Sequence, residues 1–292
     1  MEQKEAGQKI TAYKGFDKNF QCRGFQYEVG KEYKSGKTVK ICRSGFHACT
    51  NPLEVWDYYP VYNSRFAEVE LGGVIDKEDC DSKICSSEIK IKKELTLSDY
   101  IGLCVAWMNN LTKVGDNSAQ IASSGNSAQI GSSGNSAQIG SSGDFAKICS
   151  SGYFAKICSS GYSAKICSSG YSAKICSSGN SAQIGSSGNS AQIGSSGDFA
   201  QIGSSGNSAQ IGSSGDFAQI GSSGDYAVIM CAGIKSKAKA KKGSWITLSE
   251  WEIDGERYVP VCVKTEQVDG VKIKEDTWYE LKDGVFVETT TD

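Results

Sequence analysis

The chain contains a single histidine, His47, so a Ser-His-Asp or Cys-His catalytic arrangement could only be built around it. Cys49 lies two residues further on a predicted strand, and therefore on the same face of that strand. With Cys22 and Cys42, these residues have the donor types of a Cys₃His zinc site. The sequence contains no C-x₂-C pair, which such sites often use. We therefore expect no metal and no cofactor, and keep Cys22, Cys42, His47 and Cys49 as an alternative zinc site.

A second group of candidate functional residues lies in the middle of the chain. Four lysines follow one another at intervals of nine residues, and five aromatic residues lie beside them. Lysines attract phosphates and carboxylates, and tyrosines are favoured at protein interfaces. Because few lysines share one face, a protein partner is favoured over nucleic acid, which rewards many phosphate contacts. The predicted binding residues are Lys147, Lys156, Lys165, Lys174, Phe145, Tyr153, Phe154, Tyr162 and Tyr171.

Thirteen consecutive nine-residue repeats, residues 117–233, must position these side chains. Their consensus is [N/D/Y]-[S/F/Y]-A-[Q/K]-I-[G/C]-S-S-G, and so strict a period predicts a solenoid of stacked units. The third position is always Ala and the fifth always Ile. Residues two apart lie on one face of a strand, so Ala and Ile are predicted to point inward and the variable positions outward.

Two repeats are predicted to close one rung of eighteen residues, with three repeats per rung as the alternative. Asp198-Phe199 and Asp216-Phe217 recur eighteen residues apart, which favours two. The residue after Ile is predicted to form a tight corner, and the final Gly to supply a positive φ. Cys149 then stacks on Cys167, and the first-position Asp residues are interpreted as solvated surface.

The repeat resembles three known solenoids. Calcium-binding RTX rolls need Asp two residues before the fixed aliphatic residue, and this position is Ala in every copy, so calcium is not expected. The repeat is also similar to the rolls of trimeric autotransporter adhesin heads and to pentapeptide-repeat helices. These resemblances concern the array alone.

The flanking regions are predicted to cap the array, since open solenoid ends would fray or aggregate. The predicted fold is mainly β, a nonapeptide-repeat parallel β-solenoid with about two repeats per turn. Its predicted domains are an α+β N-terminal domain (1–115), the solenoid with a degenerate rung (116–243) and a β-meander cap (244–292). Predicted elements are strands at 10–16, 24–33, 65–71 and 88–92, helices at 52–59 and from about 96 to 108, and tail strands at 245–253, 257–264, 271–273, 278–281 and 285–288.

The N-terminal region carries a more specific resemblance. The segments Tyr13-Lys14-Gly15-Phe16, Cys22-Arg23-Gly24-Phe25, Gly45-Phe46-His47-Ala48-Cys49 with Asn51-Pro52, and Phe66-Ala67-Glu68-Val69-Glu70 are similar to a domain of uncharacterised bacteriophage and prophage proteins. In those proteins a Gly-, Ser- and Ala-rich array often follows. The resemblance implies a phage origin, and no activity.

The layout of the same region also resembles the core of ADP-ribosyltransferases. In that fold an aromatic or His residue stacks on nicotinamide and a Glu orients the ribose. The resemblance implies Tyr13 and His47 near the cofactor, with Glu68 or Glu70 as the Glu. The chain lacks a clear Ser-Thr-Ser segment, so an ADP-ribosyltransferase-like enzyme is kept as an alternative.

Composition narrows the function classes further. The 292 residues have a formal net charge of −2, and no apolar run approaches the ~20 residues of a membrane span. The N-terminus lacks the apolar core of a signal peptide, so we expect the protein to be located in the cytoplasm of an infected bacterium, or in a virion. In that location the twelve cysteines are expected to be reduced.

Together these observations predict a phage-encoded, non-catalytic module that binds or inhibits a host or defence component. A host or phage protein is the expected partner, and no membrane is involved. A structural or receptor-binding virion component is the second alternative, and homo-oligomers remain open.

Overall fold

The computed structural model describes residues 9–36, 38–77, 82–112 and 118–290 of the chain. They form two compact units, residues 1–107 and 108–292. The architecture is mainly β, with a parallel β-solenoid in the second unit, so the predicted fold class is confirmed. In the described ranges, none of the helices has the length and apolar character that crossing a membrane requires.

The first unit is built around an antiparallel sheet with the strand order β4-β7-β5-β1-β6. Strands β6 and β7 also pair with each other, so the sheet closes on itself around a core that includes Phe16, Val69 and Ile89. The elements are β1 (Ile10–Phe16), β2 (Gln21–Cys22), β3 (Phe25–Gln26), β4 (Glu32–Lys34), β5 (Phe46–Cys49), a 3₁₀ helix (Pro52–Asp57), β6 (Arg65–Lys77), β7 (Lys83–Leu95) and α1 (Leu97–Thr112), whose residues from Met108 onward belong to the second unit.

Local sequence signals account for most of these elements. Asn51 caps the 3₁₀ helix by accepting a hydrogen bond from the Leu53 amide, and Thr96 accepts one from the Asp99 amide at the start of α1. The single strand predicted over residues 24–33 is wrong. A tight turn at Arg23 and Gly24, both with positive φ, and a further positive φ at Gly30 restrict pairing to β3 and β4.

The second unit contains two sheets of nine strands each, which we call the front and back sheets. The front sheet contains β8 (Gln120–Ser123), β10 (Gln138–Ser141), β12 (Lys156–Ser159), β14 (Lys174–Ser177), β16 (Gln192–Ser195), β18 (Gln210–Ser213), β20 (Val228–Cys231), β22 (Trp245–Asp254) and β23 (Arg257–Gln267). The back sheet contains β9 (Gln129–Ser132), β11 (Lys147–Ser150), β13 (Lys165–Ser168), β15 (Gln183–Ser186), β17 (Gln201–Ser204), β19 (Gln219–Ser222), β21 (Lys237–Lys239), β24 (Tyr279–Lys282) and β25 (Val285–Glu288).

Parallel pairing joins residues eighteen positions apart, as in Ile139↔Ile157 and Lys147↔Lys165, so two repeats form each rung as predicted. The Ile column is buried between the two sheets, and the Ala residues from Ala137 to Ala227 are fully buried. The prediction of a corner after Ile is wrong, because that residue is the third residue of each strand.

The glycine that ends each repeat does not supply a positive φ, which corrects the prediction. The left-handed residue is instead the second one of the next repeat, as at Phe145 and Ser163. Glycine is required for a different reason. A Cβ on Gly188 would lie 1.9 Å from the carbonyl oxygen of Gly170 in the neighbouring rung.

The C-terminal residues continue both sheets as two hairpins, where we predicted one β-meander. The hairpin of β22 and β23 extends the front sheet, and that of β24 and β25 extends the back sheet. The degenerate rung is confirmed as β21. No strand forms at residues 271–273, because the Asp269 carboxylate accepts hydrogen bonds from three successive backbone amides there.

Candidate functional site

The four array lysines divide between the two sheets, as the eighteen-residue rung requires. Lys147 and Lys165 lie opposite each other on the back sheet, and Lys156 and Lys174 on the front sheet. Lys156 and Lys174 are exposed, and within the described residues neither forms an ion pair. Lys165 is only 6% exposed. Lys147 is half-buried, so the front pair is the more accessible of the two.

Part of the back sheet is covered within the second unit itself. The Thr112 hydroxyl, at the end of α1, donates to the carbonyl oxygen of Gly131 at 3.1 Å. Asn109 donates from its side-chain amide to the Ser151 hydroxyl at 3.3 Å. The two faces of the solenoid are therefore not equivalent, although their repeats are nearly identical in sequence.

Aromatic residues lie at the front-sheet edge beside the two exposed lysines. Tyr153 and Phe154 directly precede the strand that carries Lys156, and Tyr171 precedes the strand that carries Lys174. Their exposed fractions are 58%, 57% and 47%, in that order, and the rings of Tyr153 and Tyr171 lie 6.4 Å apart. We call Tyr153, Phe154, Lys156, Tyr171 and Lys174 the front patch.

The remaining predicted binding residues lie elsewhere on the second unit. Phe145 and Tyr162 occupy the opposite edge, which leads into the back sheet, and their rings meet edge to face at 5.8 Å. With Lys147 and Lys165 they form a separate group. The nine predicted residues thus divide into the front patch of five and a second group of four, in which the two rings are exposed but Lys165 is buried.

An Asn and Asp ladder runs along both edges of the array, and sequence reasoning missed it. In the described part of the array, the side-chain oxygens of seven such first-position residues accept a hydrogen bond from the amide eighteen residues later, as between Asp198 and the amide of Asp216 at 3.0 Å. Asn189 does the same for the Asn207 amide at 2.9 Å. The interpretation of these Asp residues as merely solvated is wrong, because they join consecutive rungs. The first position of the repeat is mainly Asn or Asp, and this restriction was the sequence signal for the inter-rung hydrogen bonds.

Three repeats interrupt this ladder, and two of them carry the front patch. Tyr153, Tyr162 and Tyr171 occupy the ladder position, where a tyrosine has no oxygen close to its backbone. Each substitution therefore gives up one inter-rung hydrogen bond, a loss of about 1 kcal/mol. Ring pairs between rungs offset part of this loss, since Tyr153 lies 6.4 Å from Tyr171 and Tyr162 lies 5.8 Å from Phe145, yet about half of each tyrosine remains exposed.

The exposed face of the front sheet also carries a shallow trough of 720 Å³, which runs across several rungs. Its lining includes Cys158 and Cys176, flanked by Gly140 and Gly194. Both thiols are free and exposed, whereas Cys149 and Cys167 on the back sheet are buried. Burial raises the pKa of the Cys149 and Cys158 thiols. These thiols are therefore mainly protonated near neutral pH, and the array holds no activated cysteine nucleophile at these positions.

The first unit contains a cavity of 980 Å³ that is lined by two of the four residues proposed for ADP-ribosyl transfer. Tyr13 and His47 line it, whereas Glu68 and Glu70 are not among the lining residues. The Glu70 carboxylate instead pairs with the Lys9 ammonium at 2.7 Å. The structure therefore does not bring the four residues together.

Both ring nitrogens of His47 are engaged by backbone groups. Its Nε2 accepts a hydrogen bond from the Cys42 amide at 2.9 Å, so the proton lies on Nδ1, which is 3.2 Å from the carbonyl oxygen of Gly45. Burial, and then the charge of Lys14, lower the pKa of His47 below its ordinary value of 6.5. The imidazole is neutral at pH 7 and holds the loop of residues 42–45, which leaves it no nitrogen for catalysis or for a metal.

The alternative zinc site is not formed. Cys22 Sγ accepts hydrogen bonds from the Lys14 ammonium at 3.5 Å and from the Tyr59 hydroxyl at 3.0 Å. An ammonium beside the sulfur would repel a zinc ion, and His47 has no free nitrogen. Across the described ranges, no group of three or more His, Cys, Asp or Glu side chains is arranged to hold a metal ion.

Comparisons with known proteins assign no activity to either site. A family model described as a domain of unknown function (DUF7666) matches residues 10–103, about the extent of the first unit. Neither the curated proteins nor the solved structures include a match to the chain. The chain is thus similar to this domain family over its N-terminal region alone.

Proposed function

We propose that the protein is a phage-encoded, non-catalytic interaction module whose front patch binds a host or defence protein. The bacterial cytoplasm is the proposed place of action. The single observation that carries this proposal is the interruption of the Asn and Asp ladder beside Lys156 and Lys174. Both lysines are exposed, and neither forms an ion pair with the residues that the structure describes. Tyr153 and Tyr171 replace an inter-rung hydrogen bond with two rings that contact each other yet remain about half exposed beside these lysines, and exposed tyrosines are favoured at protein interfaces.

The chemistry of the front patch indicates the class of partner. The two lysines lie opposite each other on paired strands of successive rungs, and such strands are about 5 Å apart. Three aromatic side chains border them on one side. A protein surface with carboxylates next to apolar groups matches this pattern. Nucleic acid matches it less well, because two lysines offer few phosphate contacts.

Substitution of both front lysines by glutamine tests the proposal. Gln occupies the same position in the neighbouring repeats, so Lys156→Gln with Lys174→Gln preserves the fold. We expect the amount of specific partner that co-purifies from infected cells with this double variant to fall at least about tenfold. Quantitative mass spectrometry of the affinity-purified material measures this amount. The charge-mediated and aromatic contacts of one patch act together, which is why the loss is large.

The matched control makes the same change on the other face, with Lys147→Gln and Lys165→Gln. This variant has the same net charge, and we expect it to retain the partner. Equal retention by both double variants would remove the front patch as the binding surface. Recovery of the chain from purified virions at a fixed copy number would instead favour a structural or receptor-binding role.

A further inference from the structure

The cavity of the first unit carries more basic than acidic side chains in its lining, although the ammonium of one of them, Lys34, pairs with Glu88 at 3.0 Å. Its lining includes five basic side chains and a single carboxylate, that of Asp57. The basic residues are Lys14, Arg23, Lys34, Arg43 and Lys83. The cavity volume of 980 Å³ is at the upper end of the range typical of small-molecule sites. An excess of positive charge inside a concave surface attracts anions.

Lys14 is the most informative of these residues because its buried ammonium has no carboxylate partner among the residues that the structure describes. The side chain is 5% exposed, and its hydrogen-bond partners are the carbonyl oxygen of His47 at 2.9 Å and Cys22 Sγ at 3.5 Å. Burial lowers the pKa of Lys14, and the Cys22 thiol opposes this effect. The Phe16 and Tyr27 rings each lie 5.6 Å from the ammonium, and an anion in the cavity would add the opposite charge that these neutral groups do not provide.

Arg23 occupies a position where arginine is unusual. It precedes Gly24 in the two-residue turn between β2 and β3, and both residues have positive φ, at 51° and 75°. Such turns favour Asn-Gly, because Asn tolerates this conformation better than most residues. The turn therefore presents the Arg23 guanidinium at the tip of this hairpin, where it lines the cavity. In the described part of the chain, neither Arg23 nor Arg43 forms an ion pair.

Aromatic side chains also line the cavity, and two of them are exposed to a degree that is unusual for large rings. Phe25 is 47% exposed and Tyr58 is 51% exposed. Phe25 directly follows the Arg23-Gly24 turn, and Tyr58 lies near the Lys83 ammonium, 5.0 Å from its ring centre. Exposed rings beside cationic groups suit a ligand that combines a planar ring with a charged group.

We propose that this cavity binds a nucleoside phosphate, with the phosphate near Lys14, Arg23 and Arg43 and the base against Phe25 or Tyr58. Arginine forks match phosphate oxygens, and the rings provide stacking surfaces. This site is independent of the front patch, because all of its residues belong to the first unit. No transfer reaction is assigned to it, since Glu68 and Glu70 do not line the cavity.

Calorimetric titration of the full chain tests this site with ADP, adenosine and inorganic phosphate as separate probes. We expect ADP to bind at least about tenfold more tightly than either fragment, because only ADP uses both parts of the cavity. Arg23→Asn keeps the turn and removes the charge, and it should weaken ADP binding about tenfold or more, as should Arg43→Gln. Both positions are exposed, so neither variant endangers folding.

Lys18→Asn is the matched control, because Lys18 is exposed and does not line the cavity. It should bind ADP like the unmodified chain. ADP should also slow alkylation of Cys22 by iodoacetamide, since Cys22 lines the cavity. The proposal is overturned if ADP does not bind at millimolar concentration, if phosphate binds as tightly as ADP, or if Arg23→Asn and Arg43→Gln leave ADP binding unchanged.

Discussion

Gly188→Ala is expected to destabilise the solenoid by about 3 kcal/mol or more, the upper end of the cost of overpacking a well-packed interior. The added Cβ would lie 1.9 Å from the carbonyl oxygen and 2.6 Å from the carbonyl carbon of Gly170. These are backbone atoms of the neighbouring rung, so no side-chain rotation can relieve the contact. The rungs would have to separate, and each rung is stabilised mainly by its neighbours.

Gly194→Ala provides the control for this prediction. Gly194 lies six residues further along the chain on the exposed face of the front sheet, and a Cβ there would meet nothing within 4 Å. We expect its free energy of unfolding to change by less than about 0.5 kcal/mol. Urea unfolding followed by circular dichroism measures both variants. Similar midpoints for the two would contradict the close-approach account of the ninth repeat position.

Removal of the two C-terminal hairpins has the second largest expected effect. A chain that ends at residue 243 would leave β20 without β22, and β21 without β24. The unpaired backbone groups of two open edges would template association between chains. The truncation would also expose core that Ile246, Leu248 and Tyr279 now cover, since all three are buried. We expect aggregation in place of a monodisperse solenoid.

Size-exclusion chromatography with light scattering measures this outcome. Truncation after residue 288 is the control, because it leaves both hairpins whole. The control should elute like the full chain, whereas the chain ending at residue 243 should elute as large aggregates or remain insoluble. A truncated chain with the mass and the melting temperature of an intact solenoid would show that the hairpins are not the cap.

The strict columns of the repeat are why the solenoid could be predicted from sequence. Ala and Ile never vary, and a two-residue spacing of fixed apolar positions has one structural meaning in a short strand. The recurrence of Asp-Phe eighteen residues apart then identified the rung, and the register Cys149↔Cys167 confirms it. Because each repeat position occurs thirteen times, the sequence shows directly which positions are fixed and which vary.

Other features depend on contacts that the repeat does not encode. The ninth-position Gly is consistent with either a positive φ or a close approach, and only the packing of Gly188 against Gly170 decides between them. The difference between Lys156 and Lys165 has the same origin, since both occupy the same repeat position and differ only in the sheet that carries them. Exposure of a repeat face is a property of the folded unit.

The cavity of the first unit was the least predictable feature. Its cationic residues come from β1, the β2–β3 turn, β4, the loop before β5 and the start of β7, so no single segment of the sequence contains them. Sequence reasoning identified Tyr13 and His47 there but linked them to Glu68 and Glu70, which lie outside it. The Arg23-Gly24 pair was the available signal, because an Xaa-Gly turn with a charged first residue places that charge at a hairpin tip.

Site-specific photo-crosslinking tests the central claim, that the front patch is the binding surface, most directly. A benzophenone side chain placed at Phe154, which is 57% exposed, should form a discrete crosslink to one protein in infected cells. The same side chain at Phe199, which is 53% exposed on the opposite edge, should not. A crosslink from Phe199 with none from Phe154, or equal crosslinks from both, would contradict the account.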